Sequence, residues 1–216
     1  MVESVNPGAE TAHGQPTKAD PTATYGVGAL LLIYLSTVGA YEFISTFREK
    51  FFGSLPGSIY YDTPIAILIV AAVALYHRPK LLALSRWVPR SVDILVATSV
   101  GLLIITTELA LLHRKPDIRL VDPTFIPIVL VAPIAEELWV RGICLRSLRE
   151  RQPAWLAILF VTVLSSLFHG NFWWALPAQL GLCVVYTALG NSLAASVILH
   201  MTINAVAITT GVPPHP

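Results

Sequence analysis

Residues 152–216 read QPAWLAILFVTVLSSLFHGNFWWALPAQLGLCVVYTALGNSLAASVILHMTINAVAITTGVPPHP and contain no Asp, Glu, Lys or Arg. A water-soluble surface cannot be built from so long a segment without charged side chains, so lipid is its expected solvent. The chain as a whole agrees with this, because only 12% of its 216 residues are charged, about half the fraction that is usual in soluble domains. The sequence therefore predicts an integral membrane protein.

Seven apolar runs divide the chain. A membrane-spanning helix needs about 20 predominantly apolar residues, and most of the runs approach this length. The sequence predicts an all-α fold, a polytopic transmembrane helix bundle of about seven spans, in the runs 25–41, 58–76, 92–112, 124–145, 153–169, 173–188 and 191–210.

The same pattern divides the chain into domains. Residues 1–24, rich in Pro, Ala, Thr and Gly, predict a disordered polar tail, and residues 211–216 predict a short C-terminal tail. The N-terminal transmembrane helices occupy 25–121, with an interfacial segment near 42–57, where Phe pairs mix with charges. We expect a compact core of four helices over 122–210.

The charges of the loops predict the orientation. One face of the bundle receives Lys18 and the loops at 77–90 and 146–152, and it collects more Lys and Arg than the other face. Basic loops stay inside the cell, so the N-terminus is predicted to be cytoplasmic, in a multi-pass protein of a prokaryotic cell membrane. The formal net charge of +1 leaves no basic stripe for nucleic acid.

Ionisable side chains inside an apolar run are costly, so each one is a candidate functional residue. The fourth run contains AEELWVR at 135–141. Arg141 lies four residues after Glu137, one helical turn on, and can neutralise that carboxylate. Glu136 then points about 100° away and has no local partner. A structural ion-pair cluster between helices is the alternative to an active-site role.

Two further polar groups lie in later runs. His169 follows SSLF near the end of the fifth run, where an interfacial residue is as reasonable as a catalyst. His200 and Asn204 lie four residues apart in the last run, so their side chains share one face of a helix. Hydrogen bonding between helices is the alternative to shared work at an active site.

The three motifs, in this order, resemble the CPBP family of intramembrane proteases, which contains the CAAX prenyl proteases and bacteriocin-processing or self-immunity proteins. The shared pattern is a paired Glu-x-x-x-Arg, a helix that carries His, and His-x-x-x-Asn, and it covers roughly 122–210 of the chain. There is one departure. The family's second motif usually has Phe four residues before its His, whereas Ser165 holds that position here. This concerns the shape of the pocket wall more than the chemistry.

The resemblance implies roles for four residues. Glu136 and His169 would activate the attacking water, and His200 and Asn204 would stabilise the oxyanion of the tetrahedral intermediate. The same chemistry is reasonable on general grounds, because peptide hydrolysis needs a base for water and hydrogen-bond donors aimed at the developing oxyanion.

Glu137 and Arg141 match the remaining motif positions, and we expect them to support the site and orient the substrate. The implied function is an intramembrane endopeptidase, a hydrolase of the glutamic type. Its substrate would be a membrane-associated protein or peptide, cut near a membrane-embedded or membrane-anchored C-terminal or leader segment. The lipid bilayer is the other expected partner.

A zinc-dependent version of the same protease is an alternative, and the family is often labelled a metalloprotease. Glu136, His169 and His200 would then be the three ligands of a zinc ion with an open fourth position. The sequence has no H-E-x-x-H motif. We therefore favour the metal-free mechanism and expect no cofactor.

Two interpretations come from other functional classes. The chain could be a non-catalytic membrane scaffold or bacteriocin-immunity protein that keeps the motif residues for folding. It could also be a small transporter in which the acid and the histidines form a proton relay. Transporters usually show repeated halves, and we find no internal repeat.

Overall fold

A computed structural model of the chain describes residues 24–53, 59–83, 85–111, 125–167, 169 and 172–209. These residues form helices and no strands, which confirms the predicted all-α class. The predicted tails lie almost wholly outside the described residues.

Seven long helices and one short helix make up the described part of the chain, and the long helices follow the seven apolar runs. In chain order they are α1 Val27–Phe52, α2 Ile59–His77, the short α3 Lys80–Ala83, α4 Ser91–Leu111, α5 over 127–149, α6 Ala154–Leu167, α7 Phe172–Ala188 and α8 Leu193–Thr209.

The predicted interfacial segment continues α1 without a break as far as Phe52. Phe43, Phe47 and Phe51 recur every four residues and lie exposed along one stripe of this helix. Their rings contact each other, with centroids 6.3 Å apart for the first pair and 4.5 Å apart for the second. The position of this stripe at a membrane surface stays a prediction.

Helix α5 is irregular where the candidate residues lie. It consists of contiguous π-helical and α-helical segments, namely Pro127–Val131 (π), Ala132–Glu137 (α), Leu138–Leu145 (π) and Arg146–Arg149 (α). In a π-helical turn each N–H bonds the carbonyl five residues back, and such turns are frequent at functional sites. Glu136 and Glu137 lie immediately before the second π segment.

The two halves of the chain share their hydrophobic cores. Leu30 of α1 and Ile67 of α2 belong to the buried cluster that contains Trp139 of α5. Ala97 of α4 packs with Leu199 of α8 in a second cluster. The C-terminal helices therefore pack against the N-terminal ones along their length, and the domain boundaries stay predictions.

Helices α4 and α8 approach each other closely at Gly101. A Cβ atom at this position would lie 3.0 Å from Cβ of Thr202 and 3.1 Å from Cδ1 of Leu199. The two helices reach this separation because glycine has no side chain, as small residues allow in membrane bundles.

Loop contacts gather at one end of the bundle. The N–H of Arg86 donates to the carbonyl of Asn191 over 2.9 Å, which joins the loop after α3 to the turn before α8. Arg151 donates to the carbonyl of Thr24 over 2.9 Å, which joins the end of α5 to the chain before α1. Successive helices that alternate in direction produce this arrangement.

The outer surface of the bundle is apolar. Leu32, Leu95 and Trp155 are among the many large apolar side chains that lie exposed. In the described part of the chain, α1 is the one helix both long and apolar enough to cross a membrane by itself, and the other apolar helices are shorter. The crossing of a bilayer by the whole bundle stays a prediction.

Candidate active site

The centre of the site is a fully buried ion pair in α5. Nη1 of Arg141 donates to Oε1 of Glu137 over 2.9 Å, and neither side chain is exposed. The expected pair four residues apart is therefore present, although the helix is π-helical after Glu137. A buried pair needs further hydrogen bonds to offset the loss of hydration. Arg141 finds them on α7, in the backbone and the side chain of Gln179.

Gln179 connects Arg141 to His169. Its Oε1 accepts from Nη2 of Arg141 over 2.5 Å, and its Nε2 lies 3.2 Å from Nε2 of His169. Gln179 was not among the predicted site residues, because those were chosen mainly as ionisable groups and an amide carries no charge. The signal was available, since Gln179 is the one amide side chain in the run 173–188.

His200 of α8 lies between the two carboxylates. Its Nδ1 is 2.9 Å from Oε1 of Glu137, and its Nε2 is 3.9 Å from Oε2 of Glu136. The imidazole is buried and aligned by the first of these contacts. It therefore joins the buried ion pair to the carboxylate that the sequence predicts as the base.

Glu136 has a different environment from Glu137. Its side chain is 19% exposed, whereas that of Glu137 is fully buried. Glu136 lines a cavity of about 290 Å³ that helices α1, α2, α5 and α6 enclose. Ser165, His169 and Gln179 also reach this cavity. Most of its remaining wall is apolar and includes Val27, Leu30, Leu31, Tyr34, Val38, Ala66, Ile67, Trp139, Val140, Phe160, Val161 and Leu164.

His169 lies just after the end of α6. Its Nδ1 is 2.8 Å from the carbonyl oxygen of Ser165. A carbonyl only accepts hydrogen bonds, so we assign the ring proton to Nδ1, which leaves the lone pair of Nε2 facing the amide of Gln179. Residue 165 is Ser where the family usually has Phe, but the hydrogen bond to His169 uses the backbone carbonyl and does not depend on this side chain.

Asn204 lies in α8 and contacts α5. Its Nδ2 donates to the carbonyl of Ile128 over 2.9 Å. Pro133, five residues after Ile128, has no N–H to offer this carbonyl in a π-helical turn. The side chain of Asn204 supplies the missing donor, as neighbouring side chains do for proline in membrane helices. Its second N–H is left for another acceptor, and its role toward an oxyanion stays a prediction.

The two halves of the site meet at a second, smaller pocket. His169 and Gln179 line it on one side, and His200 and Asn204 line it on the other. The structure thus brings all six predicted residues together at one site, with Gln179 as a seventh member. Hydrogen bonds and ion pairs connect five of the six, and Asn204 shares the smaller pocket with His169 and His200.

A zinc ion would take one nitrogen of each imidazole, and a hydrogen bond at the other nitrogen is usual for a metal-bound histidine. Nδ1 of His200 faces Glu137, and both ring nitrogens of His169 are in hydrogen bonds. Among the described residues no three His, Cys, Asp or Glu side chains are grouped as metal ligands. The choice between the mechanism without a cofactor and the zinc-dependent alternative, with Glu136, His169 and His200 as ligands, stays a prediction.

Comparison with known protein families finds a match in the C-terminal part of the chain. Residues 121–206 match the family model described as Rce1-like, type II CAAX prenyl endopeptidase. The match confirms the predicted resemblance to the CPBP family, and it covers all six predicted site residues and Gln179. No curated protein and no solved structure matches the chain. Helices α1 and α2, which line the cavity, lie outside the matched segment.

Proposed function

We propose that this chain, whose residues 121–206 match the Rce1-like family of type II CAAX prenyl endopeptidases, is an intramembrane endopeptidase. One observation carries the proposal: of two adjacent carboxylates, Glu137 is buried and paired with Arg141, whereas Glu136 opens onto a cavity. Neighbouring titratable groups in contrasting environments are the usual way in which an active site separates a catalytic carboxylate from a structural one.

Glu136 is the general base. A water molecule between Glu136 and His169 attacks the carbonyl carbon of the substrate, and its proton passes to the carboxylate of Glu136. When the C–N bond breaks, the same proton goes to the leaving amine. His169 accepts a hydrogen bond from this water through Nε2 and so orients its lone pair.

His200 is the donor to the oxyanion. The carboxylates of Glu136 and Glu137 and the guanidinium of Arg141 together leave one negative charge, which a protonated His200 balances. In that form Nδ1–H donates to Glu137, and Nε2–H points toward Glu136. The carbonyl oxygen of the substrate becomes negative near this N–H. The second N–H of Asn204 adds another donor, and each such donor is typically worth about 10²–10³ in rate.

The cavity favours an apolar substrate segment. Its volume of about 290 Å³ lies at the lower edge of the usual range for ligand pockets, about 300–1,000 Å³. We propose that the cavity holds a C-terminal or leader segment of the substrate that is embedded in the membrane or anchored to it. The cavity would bind the side chains of this segment or its attached lipid. Helices α1 and α2 would then contribute to substrate selection.

The chain is proposed to be a multi-pass protein of a prokaryotic cell membrane. The Rce1-like family is membrane-embedded, and the exposed apolar side chains of this bundle suit the same solvent. The end that carries Arg86 and Arg151 is proposed to face the cytoplasm together with the N-terminus.

The test compares the termini of membrane proteins in cells that carry the parent chain or its Glu136→Gln variant. Mass spectrometry is expected to find new termini, close to membrane anchors, only with the parent. The same termini in both cultures, at equal amounts of folded protein, would reject the proposed protease and favour a scaffold or immunity role.

A further inference from the structure

The geometry points to Gln179 as a positioning residue that holds His169 in the tautomer with an unprotonated Nε2. Gln179 does this by transmitting the fixed orientation of Arg141 across the site. The inference deepens the proposed function and rests on it for the activity measurement, whereas its spectroscopic test is independent of any activity.

The orientation of the Gln179 amide is fixed by Arg141. A guanidinium has donors and no acceptor, so the group that faces it must be an oxygen. Nη2 of Arg141 lies 2.5 Å from Oε1 and 3.1 Å from the backbone oxygen of Gln179. A flipped amide would place its NH₂ against these donors. The NH₂ group therefore points away from Arg141.

The opposite face of the amide meets His169. Nε2 of Gln179 lies 3.2 Å from Nε2 of the imidazole. An amide NH₂ only donates, so this ring nitrogen must be unprotonated to accept from it. At the other side of the ring, Nδ1 lies 2.8 Å from the carbonyl of Ser165, which demands a proton on Nδ1. Two contacts from different helices thus select the same tautomer.

This tautomer is the one that an attacking water needs. A water that donates one hydrogen to Glu136 can donate its other hydrogen to Nε2 of His169. Until such a water binds, the amide of Gln179 donates to this nitrogen. Gln179 reaches both the larger cavity and the smaller pocket, so it lies where this exchange takes place.

Five titratable side chains among the described residues line a pocket together with His169. Glu136, Tyr34, Tyr41 and Cys144 line the larger cavity with it, and His200 lines the smaller pocket. Arg141 is connected to His169 by hydrogen bonds through Gln179. A negative charge placed at residue 179 would therefore act on His169 directly.

Gln179→Glu separates positioning from structural support. The carboxylate still accepts from Arg141, but it has no hydrogen to give to a neutral Nε2, so it favours a protonated imidazole that cannot accept from water. Gln152→Glu is the matched control, because Gln152 is an exposed glutamine in the turn after α5.

The first readout is the pH profile of kcat/KM, with a peptide that spans a cleavage site found by the terminus comparison. For Gln179→Glu the acidic limb is expected to move to higher pH by about one to three units, the usual effect of an opposite charge within about 4–6 Å. Gln152→Glu should leave the profile unchanged. An unmoved limb in Gln179→Glu, with activity lowered equally at all pH values, would show a merely structural role and overturn the inference.

The second readout is ¹⁵N NMR of the parent with labelled histidine, the signals being assigned with a His169→Gln variant. At neutral pH we expect a protonated Nδ1 and an unprotonated Nε2 at His169, and loss of this preference in Gln179→Met. A protonated Nε2 in the parent would overturn the inference, even in an active protease. If the parent has the expected tautomer and cleaves nothing, the proposed function fails and the role of Gln179 stands.

Discussion

Two carboxylates among the described residues are completely buried and pair with arginine, one at the loop end of the bundle and one in its centre. Asp93 pairs with Arg86, and Glu137 pairs with Arg141. Both carboxylate side chains are completely buried, so burial and charge pairing do not distinguish them. Their further partners do.

The contacts of Asp93 connect chain segments at the loop end of the bundle. It accepts from Arg86, from the backbone N–H of Arg90 over 2.8 Å and from the hydroxyl of Ser192 over 3.4 Å. Arg86 in turn donates to the carbonyl of Leu189 over 2.6 Å. The hydrogen bond with Asp93 also raises the pKa of the Arg86 guanidinium above its ordinary value. This pair fastens the start of α4 to the turn before α8.

The contacts of Glu137 lead instead to groups that face a cavity. His200 connects Glu137 to Glu136, and Arg141 connects it through Gln179 to His169. In this molecule, the buried ion pair at the candidate site differs from the one at the loop end because its network ends on a partly exposed, reactive group.

The largest effect is expected for Glu136→Gln. Loss of the general base should lower the rate by about 10²–10⁴ while the thermal stability in detergent stays near that of the parent. Glu150→Gln is the matched control, because the side chain of Glu150 is 15% exposed and paired with Arg146 at the loop end. Substantial cleavage by Glu136→Gln, or a similar loss in Glu150→Gln, would contradict the assignment.

Arg141→Ala should reduce both stability and activity. It leaves Glu137 buried without its cation, which typically costs about 3–5 kcal/mol. Denaturation in detergent measures this cost, and we expect little folded protein. A well-folded Arg141→Ala variant would show that His200 alone suffices to neutralise Glu137.

Arg86→Met tests the loop pair in the same assay. Asp93 keeps Arg90 and Ser192 as partners, so the expected cost is smaller, about 1–3 kcal/mol. The fraction that folds should keep the kcat/KM of the parent. Inactive but folded Arg86→Met protein would break the distinction between the two pairs.

A purely steric change should have a smaller effect. Gly101→Ala places a methyl group 3.0 Å from Cβ of Thr202, and such overpacking typically costs about 1–3 kcal/mol. Gly39→Ala in α1 is the control, because no atom lies within 4 Å of the added Cβ. The control should be neutral or stabilising, as alanine favours a helix over glycine by about 1 kcal/mol. Equal thermal stability of the two variants would show that α4 and α8 separate easily.

Removal of metal is expected to have the smallest effect. Exhaustive chelation should leave the activity unchanged, and active purified protein should contain less than stoichiometric zinc. Activity that disappears with the chelator and returns with zinc would reassign His169 and His200 as ligands. Gln179 would then have to release Nε2 of His169, whereas the hydrogen bonds at Nδ1 of both histidines could stay.

The sequence by itself determined the local features of this protein. The seven apolar runs predicted the long helices, because an unbroken apolar run must satisfy its backbone hydrogen bonds within itself. The spacing of Glu137 and Arg141 predicted their ion pair, because residues four apart are neighbours on a helix. The order of the three motifs predicted the family that the comparison found.

Only the tertiary structure decided which residues meet across helices. Arg141 reaches Gln179 38 residues away, Glu137 reaches His200 63 residues away, and Asn204 reaches the carbonyl of Ile128 76 residues away. A helix that is apolar on all sides has no polar face to show how it is rotated against its neighbours. Rotation and register then follow from packing, such as the contact that Gly101 allows, and they place Glu136 at the cavity and Glu137 in the core.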